Sequence, residues 1–370
     1  MTRLSAPIKV LIVDDSALFR RLFSSALARL DGIEVIGTAN GAAEARDFIG
    51  RRRPDVIALD VEMPEEDGLT FLKRQMAEDP IATVIVSSLS GRSARFTIAA
   101  LEAGAVDVVS KPGNSNVDMD SKLPSFERIA TCLRGAATAR LRVPAAQRRQ
   151  PAPRPARPAV PAASQYRKDW AIGIGSSTGG VQALTAVLPS LPATAPCVLV
   201  VQHMPEGFTA AFAKRLDMLC RMHVREAQDG DRLEPGTIFI APGGDRHMRV
   251  VANGPNRSIR LEQGDPVCFS RPSVDVLFES LARTMPGKLS AAILTGMGKD
   301  GAKGLLSIRQ AGGKTFAQDE ATSQVYGMPA RAWELGAASE QLPLDEIAGR
   351  LLACAEEPAW KAQGDLTSQT

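Results

Sequence analysis

The stretch Gly175-Ser176-Ser177-Thr178-Gly179 fits the pattern G-x-S-x-G, with Ser177 at its centre. It follows an apolar run, Trp170–Ile174, and precedes helical periodicity through Val181, Leu184, Val187 and Leu188. A serine in a sharp strand-to-helix turn exposes its hydroxyl, and adjacent backbone N–H groups can hold an oxyanion. Two other readings compete. A dinucleotide loop needs G-x-G-x-x-G. Gly173 and Gly175 fit that pattern, but Thr178 stands at the third position and the next strand ends in Gln202-His203 instead of a ribose-binding acid. No lysine serves a phosphate loop there either. The plainer alternative is a tight turn whose hydroxyls only cap the helix.

A nucleophilic serine needs a base, and the chain has three histidines. His203 closes the apolar run Cys197–Gln202, on the same expected sheet edge as Ser177, whereas His223 and His247 lie in polar or basic stretches. An orienting carboxylate is offered by Asp300, in the glycine-rich segment Leu294–Gly301, although an aspartate there also suits a helix N-cap. The order Ser177, His203, Asp300 differs from the Ser-Asp-His order of α/β-hydrolases, so the same parts are arranged separately. Backbone N–H groups at Thr178 or Met297 are the oxyanion candidates. Such a set suits ester or primary amide hydrolysis through an acyl-enzyme, with no cofactor.

A second set of chemical residues lies nearer the N-terminus. Asp14 and Asp15 follow one strand-like run, Asp60 closes another, Ser87 ends a third and Lys111 follows a fourth. Each alone reads as a cap or a solvated loop residue. Together, three carboxylates at one sheet edge favour a hard divalent cation, and Mg²⁺ fits their oxygen ligands. Lys111 and Ser87 would then meet phosphoryl oxygens on Asp60.

The elements needed to position both sets alternate along the chain. Strands are expected at Ile8–Val13, Ile33–Ala39, Asp55–Asp60, Ala82–Ser88 and Val106–Val109, with helices between them and a last helix at Phe126–Arg140. A second series has strands at Trp170–Ile174, Cys197–Gln202, Thr237–Ala241, Leu289–Leu294 and Lys314–Ala317. It also carries a hairpin around Asn253-Gly254. From this alternation two doubly wound α/β domains with parallel sheets are expected, one flavodoxin-like and one Rossmann-like, and ligands in such sheets sit beyond the strands' carboxyl ends. The divisions are 1–134, a Pro/Ala/Arg-rich linker at 135–167, a domain at 168–360 and a polar tail at 361–370.

Length and composition agree: 370 residues, 44% hydrophobic and 23% charged, suit two globular domains. No apolar run reaches the ~18 residues of a membrane span, and Met1–Pro7 lacks a signal-peptide core. The five scattered cysteines fit a reduced, cytoplasmic protein better than a disulfide framework. Ten of the basic residues fall between Arg128 and Lys168, where no acid occurs; removing them from a net charge of +3 leaves −7. The basic character is thus local to the linker, which argues against a specific nucleic-acid surface.

Residues Asp14-Asp15-Ser16, Leu59–Pro64 with Asp67-Gly68, Ser87-Ser88 and Lys111-Pro112 resemble a response-regulator receiver domain. That resemblance implies that Asp60 accepts a phosphoryl group from a chemotaxis histidine kinase, with Mg²⁺ held by Asp14, Asp15, Asp60 and the backbone carbonyl of Glu62. The aromatic switch position of many receivers is Val108 here. Gly173–Gly180, Val201–Pro205, Ile240–Gly244 and Thr295–Gly301 are similar to the chemotaxis protein-glutamate methylesterase catalytic domain. This second resemblance implies hydrolysis of glutamate γ-methyl esters on methyl-accepting chemoreceptors, and deamidation of receptor glutamines. Its roles fall on Ser177 as nucleophile, His203 as base and Asp300 as orienting acid. The family's usual Ala before the nucleophile is Ser176 here. The expected regulation is that the unphosphorylated receiver covers the Ser177 cleft. A non-enzymatic receptor adaptor and a DNA-binding regulator are the competing classes, the latter lacking a helix-turn-helix.

Overall fold

A computed structural model describes residues 6–88, 91–112, 119–140 and 166–356. They form two α/β units, each defined by its own parallel sheet and the helices that follow its strands. The first contains β1 (Ile8–Val13), α1 (Ala17–Leu27), β2 (Ile33–Ala39), α2 (Ala42–Arg51), β3 (Val56–Leu59), α3 (Gly68–Glu78), β4 (Ala82–Ser87), α4 (Gly91–Glu102), β5 (Asp107–Ser110) and α5 (Met119–Ala137). Its strands pair in the order β2-β1-β3-β4-β5, all parallel. This is the flavodoxin-like order, whose switch point lies between β1 and β3.

β3 and β4 are buried along their whole length, as a sheet covered on both faces requires. One covering layer comes from α1 and α5. Phe126, Ile129, Ala130 and Leu133 recur at helical spacing on α5 and pack with Phe23 and Leu27 of α1 over Val10, Ile12, Val56 and Val84. Phe23 and Phe126 stack with ring centroids 5.8 Å apart. Full burial of each such side chain contributes roughly 1.5–3 kcal/mol. Ser16 caps α1 by accepting from Phe19 N, and Asp67 caps α3 by accepting from Thr70 N.

The second unit contains β6 (Ala171–Ser176), α6 (Gly180–Val187), β7 (Cys197–Gln202), α7 (Phe208–Leu219), β8 (His223–Glu226), β9 (Thr237–Ile240), β10 (Arg246–Asn253), β11 (Asn256–Gln263), α8 (Val274–Thr284), β12 (Leu289–Ile293), α9 (Ala302–Gln310), β13 (Lys314–Gln318), α10 (Met328–Glu334), β14 (Glu340–Leu342) and α11 (Leu344–Ala353). Seven strands pair in parallel in the order β14-β13-β12-β6-β7-β9-β8. β6 is the middle strand, and the chain leaves it to β7 on one side and returns through β12 on the other. β10 and β11 form a separate antiparallel hairpin, turned at Gly254 with φ +60°.

Several boundaries move from the sequence expectation. β6 starts one residue later and extends through Ser176, so Gly173 and Gly175 are strand residues. α5 begins at Met119, ahead of Pro124, and ends at Ala137, three residues into the expected linker. β8, β14 and α10 went unread because each is short, and β8 and β14 are polar edge strands. Residues 141–165 of the linker and the 361–370 tail lie outside the described residues.

Candidate active site and phosphorylation site

β6, β7 and β12 are the three central strands of the larger sheet, and Ser177, His203 and Asp300 all follow their carboxyl ends. The serine turn spans Ser177 to Gly180, closed by a 2.7 Å bond from Gly180 N to Ser177 O. Gly179 within it has φ +79°, a conformation that favours glycine. Ser177 is half-buried, whereas Ser176 is fully buried and donates through Oγ to Gln202 Oε1 at 2.7 Å. The two neighbouring serines therefore have different environments, and only Ser177 combines the turn position with solvent access. His203 N donates to Ser176 O at 3.0 Å, setting the histidine backbone beside the serine turn. Gln202 Nε2 also donates to His203 O at 3.0 Å, so this glutamine ties both strand ends together.

His203 Nε2 lies 2.8 Å from Asp300 Oδ2. The carboxylate also accepts from Ser273 Oγ at 2.8 Å, Val274 N at 2.7 Å and Asp275 N at 3.1 Å. An ionised carboxylate only accepts, which assigns the ring proton to Nε2 and leaves the lone pair on Nδ1. Burial works to raise the Asp300 pKa. The imidazole's hydrogen bond and charge, with the N–H groups of Asp275 and Val274, overcome this and hold it below the ordinary carboxylate value. Asp300 was a candidate cap for its own following helix. Instead Gly301 is the N-cap residue of α9, and Asp300 sits at the start of α8.

The exchange is reciprocal. Asp275, in the first turn of α8, accepts at Oδ1 from Gly304 N in the first turn of α9 at 2.7 Å. Each helix N-terminus thus receives a carboxylate that precedes or opens the other helix, satisfying orphan N–H groups and the helix dipole. Burial, opposed by the Gly304 N–H and reinforced by the charge of Asp300, pushes the Asp275 pKa up to about 6. Cys268, Asp275 and Asp300 bring ligand atoms within 4.8 Å of one another. The Asp300 oxygens are already engaged by four donors, so this cluster is built for capping rather than for a cation. Behind it, His247 is buried; its Nδ1 accepts from Ser273 N at 3.2 Å and its Nε2 donates to Asp265 O at 2.9 Å.

Of the oxyanion candidates, Thr178 is buried in the serine turn and Met297 is 36% exposed in the β12–α9 loop. That loop bends at Gly298 (φ +94°) and is held at Gly296, whose carbonyl accepts from Met328 N at 2.8 Å.

In the smaller unit, Asp14, Asp15 and Asp60 lie beyond the ends of β1 and β3, with carboxylate oxygens within 4.8 Å of one another. Asp14 and Asp60 are buried and Asp15 is exposed. Lys111 Nζ lies 2.6 Å from Asp14 Oδ2 and 2.5 Å from Asp60 Oδ2. One ammonium faces three carboxylates. Burial raises the Asp60 pKa, and the hydrogen bond and charge of Lys111 only partly offset this. An excess of converging oxygen donors of this kind fits a hard divalent cation. Glu62 N donates to Asp60 Oδ1 at 3.1 Å, which fixes the turn that carries the Glu62 carbonyl. Ser87 is fully buried, its Oγ 3.4 Å from Ser88 O, and its carbonyl accepts from Lys111 N at 2.9 Å. A Cβ at Gly68 would lie 2.1 Å from Asp60 O, so the Asp67-Gly68 start of α3 is what lets that helix approach the aspartate.

The sequence reading missed the supporting residues: Ser270, Ser273, Asp275, Gln202 and His247. Ser273 carried a local signal, since a serine before Val274-Asp275 marks a helix N-cap.

Comparison with known proteins bears on the whole chain. The family model for the response regulator receiver domain matches residues 10–119, and that for CheB methylesterase matches residues 172–351. The protein-glutamate methylesterase/protein-glutamine glutaminase of group 2 operon from Cereibacter sphaeroides is 51% identical over 94% of this chain and 92% of its own length. Protein-glutamate methylesterase/protein-glutamine glutaminase 2 of Pseudomonas aeruginosa is 50% identical over 94% of this chain and 96% of its own. The solved Thermotoga maritima CheB methylesterase catalytic domain is 40% identical, covering 50% of this chain and 97% of that one, with a TM-score of 0.49. By its two domain matches and its half-identical full-length relatives, the chain belongs to the receiver-linked CheB family of protein-glutamate methylesterases/protein-glutamine glutaminases.

Proposed function

We propose that this protein hydrolyses glutamate γ-methyl esters on methyl-accepting chemoreceptors, under control of phosphorylation at Asp60 by a chemotaxis histidine kinase. The observation that supports it best is the His203 Nε2–Asp300 hydrogen bond held at the strand ends beside the Ser177 turn. With Nε2 committed to Asp300, the base is Nδ1. The Ser177 proton passes to Nδ1 as its oxygen attacks the ester carbonyl, and Asp300 steadies the imidazolium. The tetrahedral oxyanion is held by backbone N–H groups, for which Thr178 and Met297 are the candidates. Collapse breaks the bond to the methoxy oxygen, which leaves as methanol with the Nδ1 proton. Water then repeats the sequence on the acyl-enzyme and frees the glutamate. A glutamine side chain would follow the same route with ammonia leaving, so deamidation belongs to the same site.

In the receiver, Asp14, Asp15, Asp60 and the Glu62 carbonyl are the groups that would hold Mg²⁺, which neutralises charge on an incoming phosphoryl group. Lys111 would meet the phosphoryl oxygens as it now meets Asp60. Hydrolysis itself asks for no cofactor, since Ser177, His203 and Asp300 supply nucleophile, base and orienting charge. No helix among the described residues is long and apolar enough to cross a membrane; we place the protein on the cytoplasmic side, where the kinase and the receptors' methylated segments are. The division proposed is a receiver from 1 to the end of α5 at Ala137, rather than to 134, and an esterase at 168–360, with linker and tail otherwise as above.

The test is methanol release from membranes carrying methylated receptors. Ser177→Ala abolishes it, leaving less than about 10⁻³ of the native rate, while Ser176→Ala retains most of it. Binding without turnover by the native chain would instead favour the adaptor reading.

A further inference from the structure

Asp300 occupies Nε2 of His203, so everything that exchanges a proton with this base does so at Nδ1. That nitrogen has a second hydroxyl beside it. Ser270 Oγ lies 3.3 Å from Nδ1, within hydrogen-bond reach. Ser270 is delivered there by a narrow turn. Val267 N donates to Ser270 O at 3.1 Å and Ser270 N donates to Val267 O at 2.9 Å. The two residues between them, Cys268 (φ +50°) and Phe269 (φ +65°), are both non-glycine residues in the left-handed region. Such conformations cost of order 1–3 kcal/mol each and persist only where the surroundings impose them. The surroundings do so on the far side as well, where Arg271 donates through Nε to Gly244 O at 2.8 Å and through a terminal nitrogen to Gly264 O at 2.7 Å. The turn thus fixes Ser270 between a strained pair and an anchored arginine, pointing at the base nitrogen.

The geometry points to Ser270 as a positioning residue for the second half of the reaction, holding the hydrolytic water against Nδ1 of His203. This rests on the esterase reading above. During acylation Ser177 brings its own proton to Nδ1. Once its oxygen is esterified it has no proton to give, and the base must find one on water. A hydroxyl donates and accepts, so Ser270 can accept from that water while its lone-pair neighbour Nδ1 takes the water's other proton. Water's O–H bond breaks toward Nδ1 and its oxygen bonds to the acyl carbon. The bond from that carbon to Ser177 Oγ then breaks, and Oγ recovers the proton from Nδ1. Ser270 ends each cycle unchanged.

The acyl-enzyme of this reaction is receptor joined to enzyme through Ser177, which survives denaturation in acid. The experiment uses the full chain with methylated receptor membranes, quenched in acid and resolved on denaturing gels alongside methanol release. Ser270→Ala is expected to release its first equivalent of methanol within about twofold of the native rate, then to turn over roughly tenfold more slowly, with a receptor–enzyme adduct accumulating. Ser270→Thr, which restores a hydroxyl, should recover turnover and clear the adduct. Equal slowing of burst and turnover, or no slowing of either, overturns the assignment, and so does an adduct that Ser270→Thr fails to clear. A native chain that releases no methanol would refute the esterase reading itself, which is a separate outcome. Circular dichroism of each variant guards against a misfolded turn being read as a slow step.

Discussion

Asp300 has four donors on two oxygens, one of them the His203 imidazole and three of them from the start of α8. Asp275 stands next to it with a carboxylate of opposite tendency. Facing Asp275 are Asp300 from the β12–α9 loop, Glu279 on its own helix, the Cys268 thiol and the Gly304 N–H. Its folded pKa of about 6 exceeds the unfolded value of 3.8. Between those values the folded chain binds more protons, so stability falls as pH rises from about 4 to about 6 and stays lower above. Asp275→Asn keeps an acceptor for Gly304 N–H but removes this loss. The variant's Tm should gain on that of the native chain across this window, by several degrees at pH 7 relative to pH 4; a constant difference would refute the assignment. At this scale Ser177, His203 and Asp300 could be picked out from glycine spacing, the scarcity of histidine and strand-end placement. Ser270 and His247 could not, because their partners lie 67 and 26 residues away and no local pattern encodes such contacts.

Among the elements, α8 explains why the glycine-rich stretch looked like a nucleotide loop. Val274, Leu277, Phe278 and Leu281 form its buried stripe. A Cβ on Gly175 would lie 2.3 Å from Val274 Cγ1, and one on Gly173 would lie 3.0 Å from Phe278 Cε1. These glycines let a helix lie close to β6; Gly301 and Gly304 do the same for α9, with Cβ positions 2.6 Å from Val274 and 2.7 Å from Phe278. Gly175→Ala should therefore destabilise the unit by about 1–3 kcal/mol, measured by urea unfolding, and lower esterase activity because Val274 N also binds Asp300. The alternation of apolar and helical runs made the α/β class and most strand positions readable. The short polar edge strands β8 and β14 were not, since each buries a single apolar residue, Val224 or Leu342, and one residue makes no periodic trace.

For the molecule as a whole, phosphorylation has to reach a site in another unit of the chain. Asp60→Asn removes the acceptor carboxylate while keeping its size. With a small phosphodonor and Mg²⁺, methanol release should rise in the native chain and stay flat in the variant, whose unstimulated rate should match the native one. A variant that still responds would show that the signal does not pass through Asp60. The two domain types and their order were legible because each carries several motifs; regulation between them has no such signature. The strand order of the larger sheet has one more consequence. Ser177, His203 and Asp300 hang from the fourth, fifth and third of seven strands, and β8 and β14 lie at the rims. Fluctuations that fray a sheet begin at its rims, where backbone amides exchange with solvent soonest. The residues proposed for catalysis are thus expected on the strands that open last, so fraying at the margins should leave turnover intact.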